Sequence, residues 1–279
     1  MKLAMSSWSY HQAFKRKAID HDGWLRVCAE IALDGVELLD AHMPPPEPPA
    51  LDAIRAFLRD HGLEVACVSV SNDFGLPIEE LRDKSEAKVR RWLDVAAAMR
   101  APVLRVFAGW PAFGKQPGYA IEKARLWDDM VVRLRRCAEA TAGTGVVLGL
   151  ENHNHGGFTA TSADLIRILD EVAHPALKVT LDTGDYIVDT DAVNGYAAVE
   201  RAAPHAVHVH AKLYTPDATG SEPTHDWPRI LGTLTSHGFD RYISIEYEGN
   251  EDPVTAVPRG AKYLRKALGD HATQQEQSK

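Results

Sequence analysis

The sequence predicts a single-domain α/β protein, a (β/α)8 barrel of the TIM type, and three observations predict it. Short apolar runs alternate with longer amphipathic runs eight times over residues 1–269, which is how a closed parallel barrel reads in sequence. Helix-to-strand connections are short (HGLE, MRAP, GTG, HPAL, APHA), whereas three strand-to-helix connections, 41–50, 109–120 and 213–227, are long. Finally, VHVHAK at 207–212 sets His208, His210 and Lys212 on one face of a strand and Val207, Val209 and Ala211 on the other. A barrel strand buries both faces, one against the helices and one in the lumen, and so accommodates that pattern.

In chain order the expected strands are 3–9, 35–40, 64–71, 103–109, 146–153, 177–184, 206–212 and 242–249. Between and after them run the helical patterns WLRVCAEIAL, LDAIRAFLRDHG, EAKVRRWLDVAAAMR, EKARLWDDMVVRLRRCAEAT, ADLIRILDEVA, NGYAAVERAA, WPRILGTLTSHG and VTAVPRGAKYLRKALG. No linker or composition break interrupts the series, and residues 270–279 (DHATQQEQSK) read as a flexible tail. A doubly wound open sheet would usually carry a glycine-rich phosphate turn after an early strand, and none is present. Long loops gathered at the C-terminal ends of the strands place function at that mouth of the barrel.

The chain has 279 residues, 45% hydrophobic and 25% charged, ample for a large core. It carries 31 basic and 39 acidic residues, a net charge of −8, with no basic run longer than Lys15–Lys17. Nucleic acid is therefore not an expected partner, since phosphate backbones bind clustered cations. Cys28, Cys67 and Cys137 are far apart in apolar contexts and read as reduced core thiols. The start MKLAMSSWSY is too short and polar for a secretory signal, and no apolar run reaches membrane-spanning length. A cytoplasmic protein with no membrane partner is expected, and a homodimer or homotetramer is compatible with the chain.

The last four strands carry the chemistry. Alternation sets Val147, Gly149, Glu151 and His153 on the inner face of the fifth, and Lys178, Thr180, Asp182 and Gly184 on that of the sixth. The seventh contributes His208, His210 and Lys212, and the eighth Tyr242, Ser244, Glu246 and Glu248. The aliphatic partners, including Val207, Val209 and Ala211, then face the helices. Four adjacent strands thus aim Glu151, Asp182, His210 and Glu246 at one mouth. Three carboxylates cannot be buried together as bare anions, so they pair with cations or hold a metal. Two glutamates, an aspartate and an imidazole suit one divalent ion, Mn²⁺ first, with Mg²⁺, Co²⁺ or Zn²⁺ as alternatives. Lys212 stands above His210, where it can polarise a carbonyl or balance the acidic ring. His208, one layer lower, reads as a packing residue, and His153 as a rim residue contacting a substrate oxygen. His42, His155, His205 and His225 lie in polar loops and are expected at the surface.

LENH, LDTG, HVHAK and SIEYEG, one at the end of each of strands five to eight, resemble the xylose-isomerase-like barrel superfamily of sugar isomerases, epimerases and dehydratases. The likeness covers essentially the whole chain and rests on the four motifs in order. It implies that Glu151, Asp182, His210 and Glu246 hold the metal, and that Glu151 and Glu246 flank the substrate carbon and exchange its proton. It also implies substrate contacts near the strand ends at Trp8, Glu37 and Arg105. Two departures narrow the reading. Ketose 3-epimerases of this group carry a histidine three residues after the sixth-strand aspartate, where this chain has Asp185. The abasic-site endonuclease branch adds histidines on strands three and four, which here read VSVSND and VLRVFAG.

The function expected is that of a divalent-metal-dependent isomerase or epimerase of a keto-sugar or related polyol, acting through an enediolate, with a carbohydrate as its small-molecule partner. The alternative is a dehydratase of the inosose or dehydroshikimate kind, which uses the same intermediate and then expels a β-hydroxyl. A non-catalytic or phosphoesterase-like metal barrel is the third reading. It would want a cation cluster at the mouth, for which only Lys115, Lys212 and Arg105 are candidates.

Overall fold

Eight parallel strands close into a barrel in sequence order in the computed structural model, which describes residues 1–111, 118–153, 156–187 and 195–277. The strands are β1 (Lys2–Ser6), β2 (Gly35–Leu39), β3 (Glu64–Ser69), β4 (Val103–Val106), β5 (Val147–Glu151), β6 (Leu177–Asp182), β7 (Ala206–Leu213) and β8 (Tyr242–Tyr247). Around them lie α1 (His11–Lys15), α2 (His21–Glu30), α3 (Pro48–Asp60), α4 (Glu79–Ala98), α5 (Tyr119–Glu139), α6 (Ser162–Val172), α7 (Thr183–Ile187), α8 (Gly195–Ala202), α9 (Trp227–Ser236) and α10 (Pro253–Gln277). Half of the 109–120 loop (residues 112–117, with Lys115), and also His155, lie outside the described residues.

The helices start where the sequence supplies caps. Asp20, Thr161 and Asp226 accept the backbone N–H of Gly23, Asp164 and Arg229 at 2.8, 3.1 and 3.1 Å, each satisfying a donor that a helix start leaves unpaired. Their apolar faces meet the outward aliphatic residues of the strands in one continuous core that includes Leu3, Met5, Trp24, Leu148, Leu181, Val209, Ile245 and Trp227. Fully burying each such side chain stabilises the shell by about 1.5–3 kcal/mol.

Strand ends differ from the sequence expectation in one direction. Seven expected strands run past the last paired residue; the sixth, for example, turns into the short helix α7 at Thr183. The first likewise passes into a 3₁₀ turn over Ser7–Tyr10. At the other end of the chain α10 continues to Gln277, so residues 270–277, expected as a tail, carry helical backbone. Thr235 Oγ1 and His271 Nε2 lie 2.8 Å apart and tie this extension to α9.

Inside the barrel the bottom layer is apolar. Cys67, Val103 and Val207 pack together with Val147, and Ala4, Ala66 and Tyr242 form a second small cluster. Val207 was expected against the helices. The β6–β7 register shifts between Val179 and Thr180, where Ala206 pairs with Val179 but His208 with Thr180. That irregularity turns Val207 to the lumen side and leaves the alternation intact from His208 onward. One layer up, Gly149 makes room, since a Cβ there would fall 2.2 Å from Thr180 Oγ1.

Candidate metal centre

Register across β5–β8 brings the polar ends of four strands to one height: Glu151 sits beside Thr180, Asp182 beside His210, and Lys212 beside Glu246. One ligand atom each from Glu151, Asp182, His210 and Glu246 lies within 4.8 Å of all the others. All four side chains are buried. His210 Nδ1 is 3.1 Å from Glu151 Oε1, 3.5 Å from Glu246 Oε2 and 3.7 Å from Asp182 Oδ2. Its other nitrogen, Nε2, donates toward Glu37, 3.0 Å from Oε1.

Glu37 does not face the mouth. Expected as a substrate contact, it is fully buried on β2, and its carboxylate accepts from Ser69 Oγ at 2.6 Å and from the Nε2 atoms of His208 and His210 at 2.9 and 3.0 Å. Burial opposes its ionisation, but the two imidazoles hold the carboxyl well below the usual range. It therefore fixes the ring of His210 and presents Nδ1 to the three carboxylates, the way a carboxylate behind a metal-binding histidine sets its tautomer. His208 sits one layer lower, as expected, with its ring 5.5 Å from that of His210 at 88°.

The cations stand on either flank. Arg105 Nε is 3.0 Å from Glu151 Oε2, its guanidinium donates to Val70 O at 3.2 Å, and it lies 4.1 Å over the Phe107 ring. Lys212 Nζ sits 2.9 Å from Asp182 Oδ2 and 2.6 Å from Glu246 Oε2. Burial works against both charges of the Lys212–Asp182 pair. Asp182, Glu246 and Glu248 nonetheless hold the ammonium well above its ordinary pKa, and Lys212 with His210 holds Asp182 below the carboxylate range. The two glutamates differ. Burial pushes Glu246 up to about 7 against the pull of Lys212 and His210. Glu151 faces the same burial, but His210 and Arg105 keep it below its ordinary value.

The residues fit a divalent cation. Five buried carboxyl groups (Glu37, Glu151, Asp182, Asp185, Glu246) face Arg105, Lys212 and His210, an imidazole that Glu37, Glu246 and Glu151 hold well above its ordinary pKa against burial, so acids outnumber cations among the described residues there. Excess buried charge needs a counter-ion or protons. Glu151 Oε2 and Asp182 Oδ2 are buried and accept no well-aligned hydrogen bond among the described residues, so oxygen lone pairs remain for a hard cation.

At the rim, His153 is partly exposed, with Nδ1 3.6 Å from Asp185 Oδ2 and its ring edge-on to Phe107 and Trp110 at 5.4 and 4.9 Å. Trp8, expected near a strand end, lies in a 3₁₀ turn after β1, and its Nε1 donates to Glu248 Oε1 at 2.6 Å. One histidine expected at the surface is not there: His225 is buried with its ring stacked on Trp227, while His42 is half-buried and stacked on Phe14 at 4.2 Å.

Two residues that alternation did not single out also build the site. Asn152, fully buried, bridges β5 to β6 by donating to Asp182 O at 2.9 Å and accepting from Asp182 N at 2.8 Å. Thr183 Oγ1 donates to His210 O at 3.0 Å. An asparagine beside a candidate ligand is the signal that could have found the first. Replacing Asn152 with Ala is expected to lower unfolding free energy by about 1–3 kcal/mol, because two buried backbone groups lose their partner. Denaturant unfolding checks this, and an unchanged midpoint would mean that the bridge contributes nothing.

A family model described as a xylose isomerase-like TIM barrel matches residues 25–267. The C-glycoside deglycosidase alpha subunit of Arthrobacter globiformis is 36% identical over 72 residues, 23% of this chain and 20% of that protein; the chain thus matches about a fifth of the length of this curated relative. Among solved structures, a D-tagatose 3-epimerase-like protein superposes with a TM-score of 0.77 at 19% identity, over 98% of this chain and 99% of the other. A 3-keto-D-glucoside 4-epimerase from E. coli gives 0.74 at 21%, over 95% and 99%. The probable 3-DHS dehydratase from Bacillus anthracis gives 0.70 at 19%, over 95% and 99%. At these identities the structural likenesses establish the fold. Among the described residues no helix is long and apolar enough to cross a membrane.

Proposed function

The chain belongs to the xylose isomerase-like TIM barrel family, and on that premise we propose a divalent-metal-dependent enzyme that moves a proton at the carbon beside a keto-sugar carbonyl. The observation that carries the proposal is the quartet of Glu151, Asp182, His210 and Glu246 with its ligand atoms within 4.8 Å. These four residues would hold the ion, Mn²⁺ first, with Mg²⁺, Co²⁺ or Zn²⁺ as alternatives. A divalent ion there supplies Lewis acidity to the substrate's carbonyl and neighbouring hydroxyl.

The chain's own groups divide the proton work. Glu151, beside Arg105 and His210 on β5, is the base, and Glu246, facing the same centre from β8 beside Lys212, is the acid. Two carboxyl groups on opposite sides of one substrate carbon are suited to those opposite roles. Lys212, 2.6 Å from Glu246 and 2.9 Å from Asp182, neutralises charge developing on the enediolate oxygen. His153 at the rim orients a substrate hydroxyl.

The enediolate can be reprotonated, giving an isomer or epimer, or can expel a group from the next carbon. Asp185 in place of a histidine and the names of the deglycosidase and dehydratase relatives favour elimination as the second reading. A 3-keto-glycoside is the substrate class that fits both outcomes. A phosphoester is disfavoured, because Arg105 and Lys212 are already engaged by Glu151, Asp182 and Glu246.

Elemental analysis and calorimetry test the premise. One divalent ion per chain is expected, and Glu246→Gln should weaken its binding by at least the roughly 10–100-fold that disturbing a ligand's outer-shell partner costs. Unchanged stoichiometry and affinity would remove the site. A metal-supplemented screen of ketoses, inososes and 3-keto-glycosides, read by NMR for deuterium uptake from D₂O, would then identify the substrate. No uptake with any of them would sink the reading.

A further inference from the structure

A cavity of about 600 Å³ opens beside the metal centre, at the C-terminal ends of β1 and β8, lined among others by Trp8, His11, Gln12, Arg16, Glu248 and Asn250. That volume lies within the roughly 300–1,000 Å³ of pockets that hold small organic ligands. Glu248 is the wall it shares with the reaction site. The carboxylate oxygen that accepts from Trp8 Nε1 at 2.6 Å is also 3.4 Å from Lys212 Nζ, and Lys212 touches Glu246. Two side chains therefore separate the cavity from a carboxylate that moves the proton.

The polar groups of the wall fall into two sets. Glu251 is engaged by Arg259 at 2.6 Å, Asp252 Oδ1 caps the start of α10 by accepting from Val254 N at 2.9 Å, and Glu248 is held by Trp8. These carboxylates shape the wall and give it negative character. Gln12, Arg16 and Asn250, by contrast, are exposed and make no side-chain hydrogen bond or ion pair among the described residues. Two amides and a guanidinium offer donors and acceptors together, the complement of a ring of hydroxyls. The Trp8 ring, stacked on His11 with centroids 4.0 Å apart at 17°, adds a flat apolar surface for the carbon face of such a ring.

We propose that this cavity is a second-ring subsite: it receives the neutral, hydroxyl-bearing substituent of a glycoside whose keto-bearing ring reacts between Glu151 and Glu246. The assignment rests on the proton-transfer reading above and deepens it by placing the glycoside's second ring.

The test compares two substrates in D₂O with the manganese-loaded full chain: methyl 3-keto-β-D-glucopyranoside, and a 3-keto-glucosyl unit carrying a second glucose in place of the methyl group. In the wild type the second ring should raise kcat/KM for deuterium uptake roughly tenfold, through KM, which is the effect of one or two net hydrogen bonds. In Gln12→Ala/Asn250→Ala that ratio should fall toward one. A wild-type ratio of one, or a ratio that survives the double substitution, would overturn the subsite. No uptake with either substrate would overturn the proton-transfer reading instead. The subsite would then be judged by calorimetry with the unoxidised disaccharide: binding by the wild type that the variant loses upholds it, and no difference overturns it.

Discussion

Replacing Glu151 with Gln should lower kcat by about 10²–10⁴-fold, the usual cost of removing a general base, while divalent-metal affinity falls far less. The amide keeps the length of the side chain and one ligand oxygen but cannot accept a proton. With that oxygen on the ion, the amide nitrogen takes the place of Oε2, now 3.0 Å from Arg105 Nε, and the ion pair with Arg105 is lost. Metal titration and steady-state rates on the same preparation separate the two effects. Equal losses of affinity and rate would make Glu151 a ligand only, and the proton would have to leave by another group.

His210→Ala should abolish metal-dependent activity, whereas His208→Ala should chiefly cost stability, by about 1–3 kcal/mol for buried polar groups left without a partner. Both rings bond to Glu37 through Nε2, but only His210 turns its Nδ1 to Glu151, Asp182 and Glu246. Removing it deletes a ligand and leaves Glu37 and three carboxylates buried with one cationic or donor group fewer. Removing His208 leaves Ser69 and His210 on Glu37. Metal titration and denaturant unfolding of the two variants distinguish the roles. The reverse pattern would mean that the two histidines have exchanged layers along the barrel axis.

The late strands are legible in sequence because a barrel buries both faces, so that polar residues at alternate positions can only be lumen residues. Glu151, Asp182, His210 and Glu246 follow from that rule and meet within 4.8 Å. What alternation cannot show is which lumen residues touch across the barrel. Glu37 and His210 are 173 positions apart, and their meeting, which makes Glu37 an orienting group instead of a substrate contact, depends on the closure of the whole sheet. Val207 was misplaced for a local reason, a register shift on β6–β7 that no residue type announces. His225 looked like a loop histidine because its neighbours are polar, yet the long loop after β7 folds back and stacks it on Trp227. The last eight residues of α10 lack the apolar periodicity by which a helix is read, and they continue a helix already begun.

The most direct test of the central claim is solvent deuterium incorporation by the metal-loaded wild type acting on a true keto-sugar or 3-keto-glycoside substrate. Proton transfer through an enediolate predicts deuterium at the carbon beside the carbonyl, dependent on the metal and lost in Glu151→Gln. Turnover with no exchange and no carbon–hydrogen isotope effect would contradict it, and would leave Glu151 and Glu246 without the acid and base roles assigned to them.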